Sequence, residues 1–332
     1  MSASKQLLRR RQSGAGDPAP FERLPFDSLP DRPRLPHPYP QAEKEDLLVE
    51  SAAFGTVRTR VIKFGPESAP PLLLVHGLMT SSYSWRYLLE PLGSSYRIYA
   101  PDLPGCGRTQ PTPERRHSAL ALAGFLGDLQ ERLGIAGCSA VGNSLGGYLC
   151  MQRALQEPRS FDRLVVIHAP ALPQARLRAL HLALKVPGTA TTLSRVVRRD
   201  PPRWAHRNVH YYDETLKSLE EAREYGEPLA TKDGAAAFIR YLADSLDPGE
   251  LTRFVTELEQ RRDRDQPFPI PLMLVYARED PMVAPEIGPK LHRLVPDAEF
   301  RWLERTSHFA HVDSPDRVAA LTDGFLRDPG AG

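Results

Sequence analysis

The chain has 332 residues, 41% of them hydrophobic, and its 43 lysines and arginines against 41 acids leave a net charge of +2. Acids and bases are mixed along most of the length, so there is no global electrostatic footprint for nucleic acid and duplex binding is not expected. The length fits two small domains or one large α/β domain with an insertion, and no stretch approaches the roughly 18 consecutive apolar residues of a membrane-spanning helix.

Residues 1–45 differ from the rest. Lys5 and Arg9–Arg11 precede a segment with proline at positions 18, 20, 25, 30, 33, 36, 38 and 40, which reads as an extended arm. No apolar run follows the basic cluster, so neither a secretory nor a twin-arginine export signal is expected. The arm is expected to be a solvated tail or a strap over the main domain.

Leu47–Ala53 and Thr56–Phe64 flank Gly55 and predict an antiparallel hairpin, with Val57, Thr59 and Val61 alternating against charged neighbours. Leu72–Val75, Tyr96–Ala100, Ser139–Val141, Leu164–Ile167 and Leu272–Tyr276 are short continuous apolar runs, as expected of parallel strands covered on both faces. Helical stretches such as Ala119–Leu133 lie between them, so the chain predicts a doubly wound α/β sheet. Ser314 as N-cap, Pro315 at the first helical position, and Val318, Leu321 and Phe325 on one face mark a final helix.

The rhythm breaks over residues 171–266, which read as several helices without a strand and predict a helical cap inserted into the sheet domain. From Ala171 to His210 eight lysines and arginines face the single acid Asp200. Leu177–Val186 is read as a helix with Arg178, His181 and Lys185 on one face: either a solvated basic face, or a contact for an anionic lipid surface or acidic substrate. Cys106, Cys138 and Cys150 have no metal-ligand spacing and are expected to be reduced thiols of a cytoplasmic protein.

The chemistry centres on Gly142-Asn143-Ser144-Leu145-Gly146, between a strand-like run and a helix-like one. A strand that turns abruptly into a helix strains and exposes the serine, and glycines two positions either side admit the close backbone approach. Upstream, Leu73-Leu74-Val75-His76-Gly77-Leu78 ends a buried strand in a His-Gly turn, and Pro101-Asp102-Leu103-Pro104-Gly105-Cys106-Gly107-Arg108-Thr109 follows the next strand. Downstream, Asp280 ends a buried strand in Glu279-Asp280-Pro281-Met282-Val283, and Ser307-His308-Phe309-Ala310-His311-Val312-Asp313 precedes the last helix.

Together these segments resemble the α/β-hydrolase superfamily, in its serine-nucleophile branch with a helical cap, over about residues 46–327. The resemblance implies an α/β-hydrolase fold with core parts at 46–170 and 267–332 around the cap at 171–266. It implies a catalytic triad of Ser144, Asp280 and His308, in the order this fold uses. The N–H groups of Leu78 and Leu145 would form the oxyanion hole. Glu279 is the fallback acid and His311 the rival base, while His76 and Asp102 are read as structural.

The stretch from His76 to Trp85 also looks like that of haloalkane dehalogenases and related epoxide hydrolases. Their nucleophile is an aspartate whose ester intermediate water can open; a Ser144 ether offers no carbonyl to attack. The expected function is therefore hydrolysis of carboxylic esters of small to medium apolar molecules through an acyl-enzyme, carboxylesterase- or lipase-like. The alternative is a carbon–carbon hydrolase acting on dienoate ring-cleavage products, with Arg195, Arg198 and Arg199 as candidates for the dienoate carboxylate; a reading from another class is a hydrolase-like binding protein with little turnover. No cofactor, metal or nucleic-acid partner is expected, and a peripheral membrane contact stays open.

Overall fold

The computed structural model describes residues 19–328. Its centre is one eight-stranded sheet, formed by β1 (Glu43–Ser51), β2 (Gly55–Phe64), β3 (Pro71–Val75), β4 (Arg97–Pro101), β5 (Ser139–Asn143), β6 (Leu164–Ile167), β7 (Leu272–Ala277) and β8 (Glu299–Leu303). The order is β1-β2-β4-β3-β5-β6-β7-β8, with β1, β2 and β4 antiparallel neighbours and the remaining pairs parallel.

The parallel strands are apolar because helices cover both faces. Leu72, Leu73, Leu74 and Val75, like Leu164–Ile167, have no exposed surface, whereas β1 alternates exposed and buried positions as one-sided strands do. The eighth strand is absent from the sequence reading. β8 is an edge strand whose Glu299 and Arg301 interrupt the apolar run, so its pattern looks like a loop.

Helices α1 (Leu89–Gly93), α2 (Ala119–Leu133) and α3 (Leu145–Gln156) follow β3, β4 and β5, and the segment after β6 carries α4 (Ala175–Lys185), α5 (Thr189–Arg199), α6 (Pro201–Asn208), α7 (Leu219–Gly226), α8 (Lys232–Arg240) and α9 (Pro248–Asp263). Not all of this insertion stands apart from the sheet. Leu251, Phe254 and Leu258 of α9 are buried in the same cluster as Tyr148 and Leu149 of α3, so α9 covers the sheet rather than the site. The chain ends with α10 (Ile287–His292), α11 (Ala310–Asp313) and α12 (Pro315–Arg327).

Winding runs from β3 out to β4 on one side and from β5 through β8 on the other. The loops leaving β3 and β5 therefore diverge, and such a switch point opens a crevice at the carboxyl ends of the strands. The helices after β6 close over it.

Two devices join these helices to the sheet domain. Arg86, packed between the rings of Tyr83 and Tyr87, pairs with Glu221 of α7 at 2.6 Å, the two side chains 0% and 4% exposed. Tyr211 Oη donates to the same carboxylate at 2.5 Å. Removing one member of such a pair leaves an uncompensated buried charge, at a cost of about 3–5 kcal/mol. The second device is the proline-rich arm, whose residues 1–18 lie outside the described residues. From residue 19 on it is a strap: Leu219 N–H and Glu220 N–H donate to the carbonyls of Pro30 and Asp31 at 2.9 and 3.0 Å, His206 Nε2 lies 2.9 Å from Leu24 O, and His37 packs against Tyr83 and Tyr87.

Candidate active site

Ser144 stands between β5 and α3 with φ +54° and ψ −121°, a conformation disfavoured for a side chain with a Cβ. Its surroundings hold it there. A Cβ on Gly142 would lie 2.5 Å from Gly147 N, and one on Gly146 would lie 2.2 Å from Val75 O; these approaches explain the glycines two positions either side. Ser144 N–H donates to Ile167 O at 2.7 Å while its carbonyl accepts from Tyr148 N–H at 3.1 Å, so the residue ends the strand and starts the helix at once.

Asp280 and His308 are brought together from β7 and from the loop before α11. His308 Nδ1 lies 2.7 Å from Asp280 Oδ2, and Asp280 Oδ1 accepts from the N–H groups of Met282 and Val283 at 2.6 and 2.9 Å. Burial works to raise the pKa of this carboxyl, but the charge and hydrogen bond of His308 turn the net shift downward. A carboxylate only accepts, so Nδ1 carries the proton and Nε2 is left basic.

The backbone of His308 is held as well. Its carbonyl accepts from Asn143 Nδ2 at 3.1 Å and from His168 Nδ1 at 3.0 Å, while His168 Nε2 accepts the Ala277 N–H at 2.6 Å. Burial lowers His168 to a pKa of about 4, so it bridges as a neutral ring. One residue earlier, Ser307 N–H donates to Asp313 Oδ2 at 2.7 Å, and the other oxygen of Asp313 accepts Tyr212 N–H at 2.9 Å.

The other sequence-selected residues fall elsewhere. Glu279 accepts Arg305 N–H on the exposed surface. His311 is fully buried against Trp85, ring centroids 4.5 Å apart, with neither nitrogen hydrogen-bonded among the described residues. His76 joins the two loops beside the elbow by accepting Leu103 N–H at 3.0 Å on Nε2. Asp102 shapes its loop by accepting the N–H groups of Ser82 and Arg108 at 2.7 and 2.8 Å.

Ser144 and His308 line one cavity of about 510 Å³ with Leu78 and Leu145. Leu145 is the first residue of α3, where a helix leaves its N–H without an internal acceptor. Neither that amide nor the Leu78 N–H makes a hydrogen bond among the described residues. No hydrogen bond joins the Ser144 hydroxyl to His308 there either; the two meet as walls of the same space.

Leu177 and Leu180 of α4, Leu193 of α5, and Phe238, Leu242 and Leu246 build the apolar part of the wall. Arg195, Arg198 and Arg199 are corrected out of the site: all three are exposed and none lines the cavity, because α5 turns its Leu193 face inward. The segment after β6 brings Arg176, Asn208 and His210 to the lining instead. His210 Nδ1 lies 3.4 Å from Glu214, which also pairs with the buried Lys217 at 2.5 Å.

Asn143, His168, Asn208 and His210 carried no assigned role in the sequence reading. His168 had a signal, since it directly follows a buried strand, the position that His76 also holds. His168, Asp280 and His308 are also the one cluster among the described residues with metal-ligand potential, their ligand atoms lying within 4.8 Å of one another. Both His168 nitrogens and His308 Nδ1 are already committed to protein partners.

This fold and crevice define a class. Residues 70–315 match the family described as alpha/beta hydrolase fold, and the chain belongs to that family. It is 24% identical over 259 residues to the uncharacterized hydrolase YugF of Bacillus subtilis (strain 168), covering 77% of this chain and 89% of that protein. Its fold is similar to a thermophilic esterase from Thermogutta terrifontis, with TM-score 0.62, 20% identity, and 85% and 98% of the two chains covered. A meta-cleavage product hydrolase, CumD from Pseudomonas fluorescens IP01, gives TM-score 0.62 at 21% identity over 84% and 97%. The chain is a hydrolase of this family, and no described helix is long and apolar enough to cross a membrane.

Proposed function

We propose that the protein is a serine hydrolase of carboxylic esters with an apolar acyl or alcohol group. The observation that carries this reading is the placement of Ser144, at its strained turn, in one largely apolar cavity with the His308–Asp280 pair and the unpaired amides of Leu78 and Leu145.

In this reading His308 Nε2 takes the Ser144 proton as Oγ attacks the ester carbonyl, and the developing oxyanion lies against the Leu78 and Leu145 N–H groups. Closing the Ser144–His308 hydrogen bond belongs to substrate binding, as such bonds often tighten in the Michaelis complex. Collapse of the tetrahedral species passes the His308 proton to the departing alkoxide. Water then attacks the acyl-enzyme, gives its proton to His308, and the acid leaves as Ser144 recovers its proton. Asp280 holds the ring tautomer throughout.

Carbon–carbon hydrolysis lacks support from Arg195, Arg198 and Arg199 of the cap, which lie outside the cavity. Arg176 lines it, but its guanidinium donates to Met282 O. A fluorophosphonate probe tests the proposal: it labels the native protein at Ser144, and Ser144→Ala loses both labelling and ester turnover while melting at the same temperature. Labelling elsewhere removes Ser144 as the nucleophile, and native protein that neither labels nor turns over esters assigns the fold to binding rather than catalysis.

A further inference from the structure

The outer side of the same two helices that wall the cavity has no use in this chemistry. On α4, Arg178, Leu182 and Lys185 fall at helical spacings of four and seven from the first, on one face, with Val186 directly after the helix, and all four are exposed. On α5, Thr192, Arg195, Val196 and Arg199, at spacings of three, four and seven, share one exposed face. The two helices pack against each other, so the two faces belong to neighbouring helices.

Two properties single this surface out. Leu182, Val186 and Val196 are 64%, 57% and 54% exposed, three of the five large hydrophobic residues so exposed among the described residues. The cations between them are unpaired: no acid or hydrogen-bond acceptor meets Arg178, Lys185, Arg195 or Arg199 among the described residues, although most other surface arginines of the protein have partners. Asp200 is the one acid from Ala171 to His210, and it is engaged by Arg203. His181, read from the sequence as part of this face, belongs to the other side: it is half-buried, with Nδ1 3.1 Å from Ala243 O and Nε2 3.6 Å from Asp247.

We propose that the α4–α5 face docks on an anionic lipid bilayer. An apolar residue kept in water amid unpaired cations matches an interface where headgroups are negative and acyl carbon lies just beneath. A purely acidic peptide or a polyanion such as nucleic acid would satisfy the cations but leave Leu182, Val186 and Val196 without an apolar counterpart. The geometry also gives docking a consequence: Leu177, Leu180 and Leu193, on the inner sides of these helices, line the cavity, so the bilayer would lie one helix thickness from the cavity. The vesicle readout does not depend on the ester chemistry proposed above, which enters only as a control on the variants.

The test is sedimentation of the full chain with vesicles of phosphatidylcholine alone and of an equimolar phosphatidylcholine–phosphatidylserine mixture, with soluble-ester turnover and melting temperature measured alongside. The expected result is partitioning to the mixed vesicles only, weakening as salt rises. Arg178→Glu with Lys185→Glu should weaken it by about fivefold for each charge lost, more for reversal. Leu182→Asn with Val186→Asn should weaken it at unchanged charge, and both double variants should keep the native melting temperature and soluble-ester rate. Equal partitioning to both vesicles, none to either, or binding that survives the Asn pair and is matched by a soluble polyanion overturns the proposal.

Discussion

His168 Nδ1 sits 3.0 Å from the carbonyl oxygen of His308, and the same ring takes the Ala277 N–H on Nε2. One neutral imidazole therefore ties the ends of β6 and β7 to the loop that presents the proposed base. His168 itself lies at φ +54°, so its backbone is part of the fit.

His168→Asn tests this bridge, because asparagine tolerates a positive φ but is too short to span both partners. An unsatisfied buried amide costs about 1–3 kcal/mol, and a shift of about 1 Å in a reacting group can cost about a hundredfold in rate. We expect kcat to fall by at least tenfold with KM within about twofold, together with a lower melting temperature. A variant that loses stability but retains kcat would make His168 a packing residue only.

Asp313 links Ser307 to Tyr212 of the helical segment after β6 and predicts a pH dependence. Burial pushes its carboxyl up to about 7, against the pull of the N–H groups it accepts. The unfolded chain ionises this group near 3.9, so between about pH 4 and 7 the folded state binds more protons and stability falls as pH rises. Above pH 7 the penalty is constant. Asp313→Asn should therefore flatten the melting temperature across that window relative to the native protein. Parallel profiles would show that Asp313 is ionised throughout.

The sequence carries the sheet because strands buried on both faces are continuous apolar runs, and it points to the elbow because backbone collisions at Gly142 and Gly146 leave no choice of residue. It hides β8, whose edge position admits charge, and it misplaces His181, whose partners Ala243 and Asp247 lie more than sixty positions away. Arg195, Arg198 and Arg199 are misplaced for a related reason. Net charge along a segment does not say which helical face turns inward, and in α5 the leucine face does.

The arm gives a third expectation. Its strap carries backbone bonds to α7 and covers Tyr83 and Tyr87, so a chain lacking residues 1–38 should melt at least about 5 °C lower. Amide exchange should quicken over residues 201–226, the part the strap overlies. An unchanged melting temperature and exchange pattern would reduce the arm to a solvated tail.

The last expectation concerns the length of group the cavity accepts. Its apolar wall, from Leu177 through Leu246, gives a dry surface for an acyl chain, and each methylene buried there contributes up to about 0.8 kcal/mol, close to fourfold in kcat/KM. Specificity should therefore climb along a series of p-nitrophenyl esters until the cavity is full, then level off. Leu180→Trp fills part of that space, so its plateau should arrive at a shorter chain while the shortest ester keeps nearly its native rate. Overpacking costs about 1–3 kcal/mol, which a melting curve separates from the change in selectivity. A uniform drop across the series would place Leu180 outside the acyl path. If a dienoate ring-cleavage product exceeds the best ester in kcat/KM by orders of magnitude, Arg176, Asn208 and His210 become the groups to test against its carboxylate, and carbon–carbon hydrolysis replaces the ester reading.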